Sequence, residues 1–133
     1  MLPEETPVTF TDLRAFVVNG RKAEEQPAVL RFQGGQVTLA ADKGDKIYSA
    51  LAYKDVTSAA FVRAKNPRWF PTLDGPPTDV DMPGGLFRQT RAWLSLQARS
   101  GFLIVRLNDS DQAKVLDIVT ERMGIKVEVL APQ

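Results

Sequence analysis

The order of elements in the last third of the chain limits its fold more than any other feature. A strand carrying Trp93, residues 91–96, runs through a short turn into Gly101-Phe102-Leu103-Ile104-Val105-Arg106-Leu107, and an amphipathic helix follows at once over residues 110–123. Gly124 is the expected stop, because glycine takes up the left-handed backbone of a helix end at no steric cost. A hairpin that hands its chain to a single C-terminal helix predicts a small β-barrel or sandwich with the helix across one opening. Val115, Leu116, Val119 and Met123 share one stripe of that helix, with Ile118 at its edge, while Lys114, Asp117, Thr120 and Glu121 lie mostly on the wet side. Asp109 is the expected N-cap, with Gln112 three residues on in a capping-box-like arrangement.

Upstream, short strands alternate with turn signals. Residues 13–18 read as a first strand ended by Asn19-Gly20, residues 21–26 as a charged surface connection, and residues 28–32 as a second strand. Gly34-Gly35 predicts a tight hairpin into residues 36–40, and Asp42-Lys43-Gly44-Asp45 a turn before a fourth strand at 46–51. Residues 56–65 alternate, with Ala60, Val62 and Ala64 expected inward and Phe61, Arg63 and Lys65 outward. Residues 87–98 and 101–107 form the last hairpin around Arg99-Ser100, Trp93 being expected to fill the barrel interior. Residues 126–130 alternate weakly and are compatible with one more short strand. Domain organisation is accordingly a flexible N-terminal segment, 1–11, and a single domain, 12–130.

Seven short strands closed by one helix is the pleckstrin-homology-like (PH-like) pattern. The second half of the chain also resembles small bacterial PH-like (pleckstrin-homology/GRAM-like) domain proteins of unknown function. The resemblance is carried by Tyr53-Lys54-Asp55-Val56-Thr57-Ser58-Ala59-Ala60-Phe61, by Leu86-Phe87, by Trp93-Leu94-Ser95-Leu96, and by the run from Val115 through Gly124 to Glu128. It implies a mainly β, seven-stranded PH-like barrel or sandwich with one C-terminal helix, and it implies no catalytic residue. Many such proteins carry a leader peptide, or a hydrophobic segment where this chain has residues 67–83.

Two absences exclude most chemistry. The 133 residues include no histidine and no cysteine. Serine–histidine and cysteine–histidine catalysis, imidazole metal sites, zinc knuckles, iron–sulfur ligation and disulfides are therefore all outside its reach. The expectation is a protein that is not an enzyme and uses no cofactor. Seventeen basic residues against sixteen acidic ones leave a net charge of +1, so no global field draws nucleic acid or an anionic surface. Nucleic acid is not an expected partner. No apolar run approaches the roughly 18–20 residues of a membrane span. Met1-Leu2-Pro3-Glu4-Glu5 has neither a basic segment nor an apolar core, so no signal peptide is visible. The location is left open between the cytoplasm and, if a leader was removed, the cell envelope.

The candidate binding surface is basic and aromatic: Arg63, Lys65, Arg68, Arg88 and Arg91 beside Trp69 and Phe70. Such a set suits a phosphorylated headgroup or an acidic peptide; the competing reading is a solvated strand face with Trp69 folded back over the barrel. Lipid-binding PH domains usually gather basic residues at the first hairpin loop. Here Arg21 and Lys22 share that loop with Glu24 and Glu25, which weakens the lipid reading. The most favoured function is thus a non-catalytic module for protein or peptide binding or scaffolding, with anionic lipid recognition as the alternative. Residues 66–85 are too broken by Pro67, Pro71, Pro76, Pro77 and Pro83 to form a helix, and too long and aromatic for a mere connection. Trp69 and Phe70 are expected to pack on the chain's own sheet or on a second copy, the latter making a weak homodimer. Asp74, Asp79 and Asp81 lack metal-site spacing, so no metal is expected. Asp42, Asp45 and Lys46 serve turn geometry.

Overall fold

The computed structural model describes residues 6–71, 75–77, 79–82 and 89–131. Arg88, Asp74 and the Leu86-Phe87 strand start lie outside that set. Among the described residues eight strands form one open sheet: β1 (Val8–Asn19), β2 (Lys22–Gln33), β3 (Gln36–Ala41), β4 (Ile47–Ala52), β5 (Val56–Ala64), β6 (Arg91–Ala98), β7 (Gly101–Leu107) and β8 (Val127–Val129). Among the described residues the one α-helix, α1 (Gln112–Met123), lies between β7 and β8, and a 3-10 turn, Tyr53–Asp55, links β4 to β5. The fold is mainly β with one C-terminal helix, in the PH-like order of seven strands and then a helix. The eighth strand is an addition: β8 runs parallel to β5 and makes the spatial order β4-β3-β2-β1-β7-β6-β5-β8.

The chain's turn residues account for much of this. Gly34 and Gly35 form the two-residue β2–β3 turn with φ of 62° and 76°, the doubly left-handed geometry that matches strand twist. Gly124 caps α1 at φ 67°, its N–H donating to the Thr120 carbonyl at 3.0 Å. In β1 the register with β2 shifts between Phe10 and Leu13, and Asp12 sits there at φ 60°. Aspartate tolerates this left-handed conformation better than most side chains.

Three strand expectations need correction. Residues 22–26, read as a surface connection, are the first half of β2, paired with 15–19 of β1. Their own preference for strand is weak, and the β-prone Phe16-Val17-Val18 opposite imposes it. β1 begins at Val8, so residues 8–11 belong to the sheet and not to a flexible segment. On β5 both faces are buried: Ala60, Val62 and Ala64 point inward as expected, and Phe61, expected outward, is buried as well. Phe61 joins the main core with Ala59, whereas Val62 and Ala64 lie in a second core on the opposite face. Arg63 and Lys65 are exposed, as their charge requires.

That second core explains the burial of the sheet on both sides. The main core collects Leu13, Leu30, Phe32, Leu94, Leu96, Leu103 and Val105 under Val115 and Val119 of the helix. Leu116, Ile118 and Met123 pack against it only partly buried. Alternate residues of the same strands, Trp93 and Ile104, turn the other way and meet Phe16, Ala23, Val62, Ala64 and Val80. Trp93 therefore does not fill the interior beneath the helix. It anchors the opposite face, its ring edge-on to Phe16 at 5.7 Å and its Nε1–H donating to the Ala64 carbonyl at 3.1 Å.

The chain beyond β5 covers that face. Trp69 lies 6.2 Å from Phe16. The buried Gln97 amide both accepts from Phe70 N–H and donates to Phe70 C=O, each at 2.9 Å, and Ser95 Oγ donates to Arg68 C=O at 2.8 Å. Further on, Asp79 pairs with Arg21 at 3.2 Å, and Asp81 N–H donates to the Arg21 carbonyl at the β1–β2 turn. The proline-rich stretch is thus tied along the chain's own sheet at both of its described ends.

The start of α1 also differs from expectation. Asp109 is exposed and does not cap. Asn108 Oδ1 accepts from Asp111 N–H at 2.8 Å and from Ser110 Oγ at 2.9 Å. Its Nδ2 donates to Asp111 Oδ2 at 3.0 Å and to the Thr11 carbonyl at 3.1 Å. One asparagine therefore holds both the helix entry and the β1 irregularity. Asn108→Ala should cost about 0.5–2 kcal/mol, the range of a lost N-cap. Urea denaturation that shows no loss would mean the turn holds itself.

Candidate functional site

The expected binding surface divides in two. Arg63 and Arg91 line a polar hollow of about 260 Å³ together with Arg106, Asp12, Asn108 and Asp109. Trp69, Phe70 and Arg68 belong instead to the covering segment, with the Arg68 guanidinium donating to the Ala131 carbonyl. Lys65 is exposed beyond the end of β5, and Arg88 lies outside the described residues. Basic and aromatic residues that are close in sequence therefore do not converge on one site.

The hollow owes its charge to strand pairing. Arg14 on β1 lies directly opposite Arg106 on β7. Arg106 Nη1 donates to Glu25 Oε1 at 2.8 Å, in a partly buried ion pair. Its pKa lies below the ordinary arginine value, chiefly because burial strips water from the guanidinium. Glu25 opposes that effect, and the positive charges of Arg91 and then Arg14 add to it. Arginine still remains protonated at any physiological pH. Arg63 Nη1 donates to Gln112 Oε1 at 2.7 Å and stands 3.7 Å from Asp109. Arg14 and Arg91 have no carboxylate within ion-pair distance among the described residues. The sequence points to Arg63 and Arg91 but not to Arg14, Glu25 or Arg106, which become neighbours only through the β1–β2 and β1–β7 registers.

A second depression, about 530 Å³, lies between β1 and α1. Val8, Thr9, Phe10 and Thr11 form one wall, and Asp111, Lys114, Asp117 and Ile118 the other. It borders an unpaired strand edge. β1 pairs with β7 only at Arg14 and Ala15, so residues 8–10, paired with β2 on one side, and Thr11, at the register shift, meet no strand on the other side among the described residues. Side chains take up the main-chain acceptors at both ends of this edge. Arg122 Nη2 donates to the Thr6 carbonyl at 2.7 Å, and Asn108 Nδ2 to the Thr11 carbonyl.

A third cavity, about 280 Å³, lies among β1, β3, β4 and β7, and Ser49 Oγ there donates to the Phe102 carbonyl at 2.9 Å. Among the described residues no three carboxylates converge as a metal would need, and no helix is long and apolar enough to cross a membrane.

No known protein-family profile matches the chain. It is 34% identical over 85 residues to a vanillate O-demethylase oxidoreductase of Pseudomonas sp. (strain HR199 / DSM 7063), an alignment taking in 62% of this chain and 27% of that protein. The chain thus spans about a quarter of the curated relative it matches. Among solved structures, it superposes on the Spt16D Pob3N heterodimer with a TM-score of 0.59 at 11% identity, covering 97% of this chain and 57% of that one. The pleckstrin homology domain of ArhGAP27 gives a TM-score of 0.48 at 13% identity, with 87% and 99% covered. The hSac2 domain of the human phosphoinositide phosphatase Sac2 gives 0.44 at 16% identity, with 99% and 80% covered. At such identities the structural likeness speaks for the fold alone.

Proposed function

We propose that the protein is a non-catalytic binding module that takes an extended peptide from a protein partner along the free edge of β1, beneath α1. The observation that carries this reading is the unpaired edge of residues 8–11 facing the groove. A peptide laid there as an added strand gains main-chain hydrogen bonds from the edge and side-chain contacts from the helix. The caps supplied by Arg122 and Asn108 limit the pairing to about four residues, or roughly 13 Å of extended chain. Val8 and Ile118 offer apolar contact at the groove, and Lys114 with Asp117 offers polar contact. Missing histidine and cysteine favour a binding role over a catalytic one, as does the resemblance to small bacterial PH-like proteins.

Selection of random peptides on the immobilised protein, followed by calorimetry, tests the reading. Selected peptides should add amide-exchange protection at residues 8–11. Ile118→Arg, which puts a long charged side chain into a partly exposed groove position, should weaken them about tenfold or more. Peptides that bind with unchanged affinity to the Ile118→Arg protein, and protect no β1 amide, would overturn it. A second copy using the same edge would appear as a dimer in sedimentation that Ile118→Arg dissolves. The anionic-lipid alternative has less in its favour: Arg21 at the first hairpin is engaged by Asp79, and Glu24 stands beside it.

A further inference from the structure

We infer that the arginine hollow is a carboxylate receptor that reads an acidic group at one end of the peptide docked on β1, an inference that rests on the strand-addition reading for its partner. The two depressions abut. Thr11 and Asp111 line the groove, while their neighbours Asp12, Asn108 and Asp109 line the hollow. A strand leaving the groove past Thr11 therefore meets Arg91 and Arg106 next.

The receptor is built in advance. Glu25 fixes Arg106 at 2.8 Å, and Gln112 fixes Arg63 at 2.7 Å, so little side-chain freedom is left to lose on binding. Arg91, exposed and without a carboxylate of its own among the described residues, is the group left to make a forked pair with an incoming carboxylate. The charge balance selects the ligand. Among the described residues Arg14, Arg63, Arg91 and Arg106 stand against Asp12, Glu25 and Asp109, an excess of one positive charge. One carboxylate neutralises that excess. A polyanionic phosphate headgroup would instead place surplus negative charge beside Asp12 and Asp109, which is unfavourable.

Three arms test the receptor on the full chain. Acetate, titrated against chloride at matched ionic strength, should give saturable shifts of the Arg91 and Arg106 Nε–Hε signals that Arg91→Gln abolishes. This arm does not depend on the groove. Non-saturable shifts spread over all arginines would overturn the receptor. In the second arm, groove-selected peptides ending in a free acid or carrying glutamate should bind about tenfold more tightly than their amide or glutamine counterparts. Arg91→Gln should erase that preference while β1 protection persists. Comparing the amidated peptide with the glutamine peptide tells a C-terminal carboxylate from a side-chain one. Peptides that protect β1 but ignore both changes would sink the receptor and leave the groove standing. In the third arm, vesicles of phosphatidylcholine with phosphatidylserine should not bind; Arg91-dependent binding to them, without an acetate response, would assign the hollow to a membrane surface instead. Arg91 is exposed at the start of β6, so an unchanged thermal transition of Arg91→Gln confirms that the fold is intact.

Discussion

Trp93→Ala should lower the unfolding free energy by about 3–5 kcal/mol, the range for deleting a buried large aromatic side chain. Trp93 is 1% exposed, so nearly all of its area is lost to the core of the outer face. The substitution leaves a cavity beside Phe16 and takes a donor from the Ala64 carbonyl in an apolar setting. A domain of this size has about 5–15 kcal/mol of stability in all, so the variant should be near the edge of folding. Urea denaturation measures the loss. A change below about 1 kcal/mol would mean that the second core contributes little and that the helix-covered core suffices. Trp69→Ala, which removes a half-buried ring from the same cluster, should cost clearly less.

Gln97→Leu should release the covering segment and cost about 2–4 kcal/mol if that segment stays down. Leucine is close in size, so packing is roughly conserved. The Phe70 N–H and C=O, however, both lose the Gln97 side chain as partner at a partly buried position. Each orphaned buried group costs about 1–3 kcal/mol, and the segment escapes the penalty only by lifting into water. Lifting would expose Trp69 and the upper face of Phe16. The measurement is hydrogen exchange at Phe70 together with limited proteolysis of residues 66–71. Gln97→Glu separates the two bonds, since it keeps the acceptor for Phe70 N–H and loses the donor to its carbonyl. Exchange at Phe70 that is equally slow in all three proteins would show that the clamp is redundant.

Local patterns made the β6–β7 hairpin, the helix and its glycine stop legible, because period and capping residues act within a few positions. The buried amide of Gln97 shows where such reading ends. In the sequence, Ser95 and Gln97 alternate with Leu94 and Leu96 as on any half-wet strand. Their burial depends on a segment some 27 residues upstream crossing that face, and nothing in the strand encodes it. Lys22-Ala23-Glu24-Glu25-Gln26 looks like a solvated loop for the same reason: the strand is supplied by its partner in the hairpin. The candidate site was half legible. Arg63 and Arg91 do share one hollow, but Trp69 and Phe70, near Arg63 in sequence, serve the covering layer. Arg14, Glu25 and Arg106 come from three strands, and no spacing along the chain marks them as neighbours. The free edge of β1 is equally silent, since it follows from β7 diverging after two residue pairs.

The parallel strand β8 has a consequence for how the molecule is made. β5 obtains its outer neighbour from residues 127–129, and Leu130 N–H then donates to the Phe61 carbonyl at 2.8 Å. A ribosome delivers β5 some sixty residues before β8. At roughly 5–20 residues per second, the β5 edge stays bare for several seconds while β6, β7 and α1 are being added. For that interval the nascent chain carries an open, apolar strand flank built from Ala59, Ala60 and Phe61, the kind of surface that recruits chaperones or a neighbouring nascent chain.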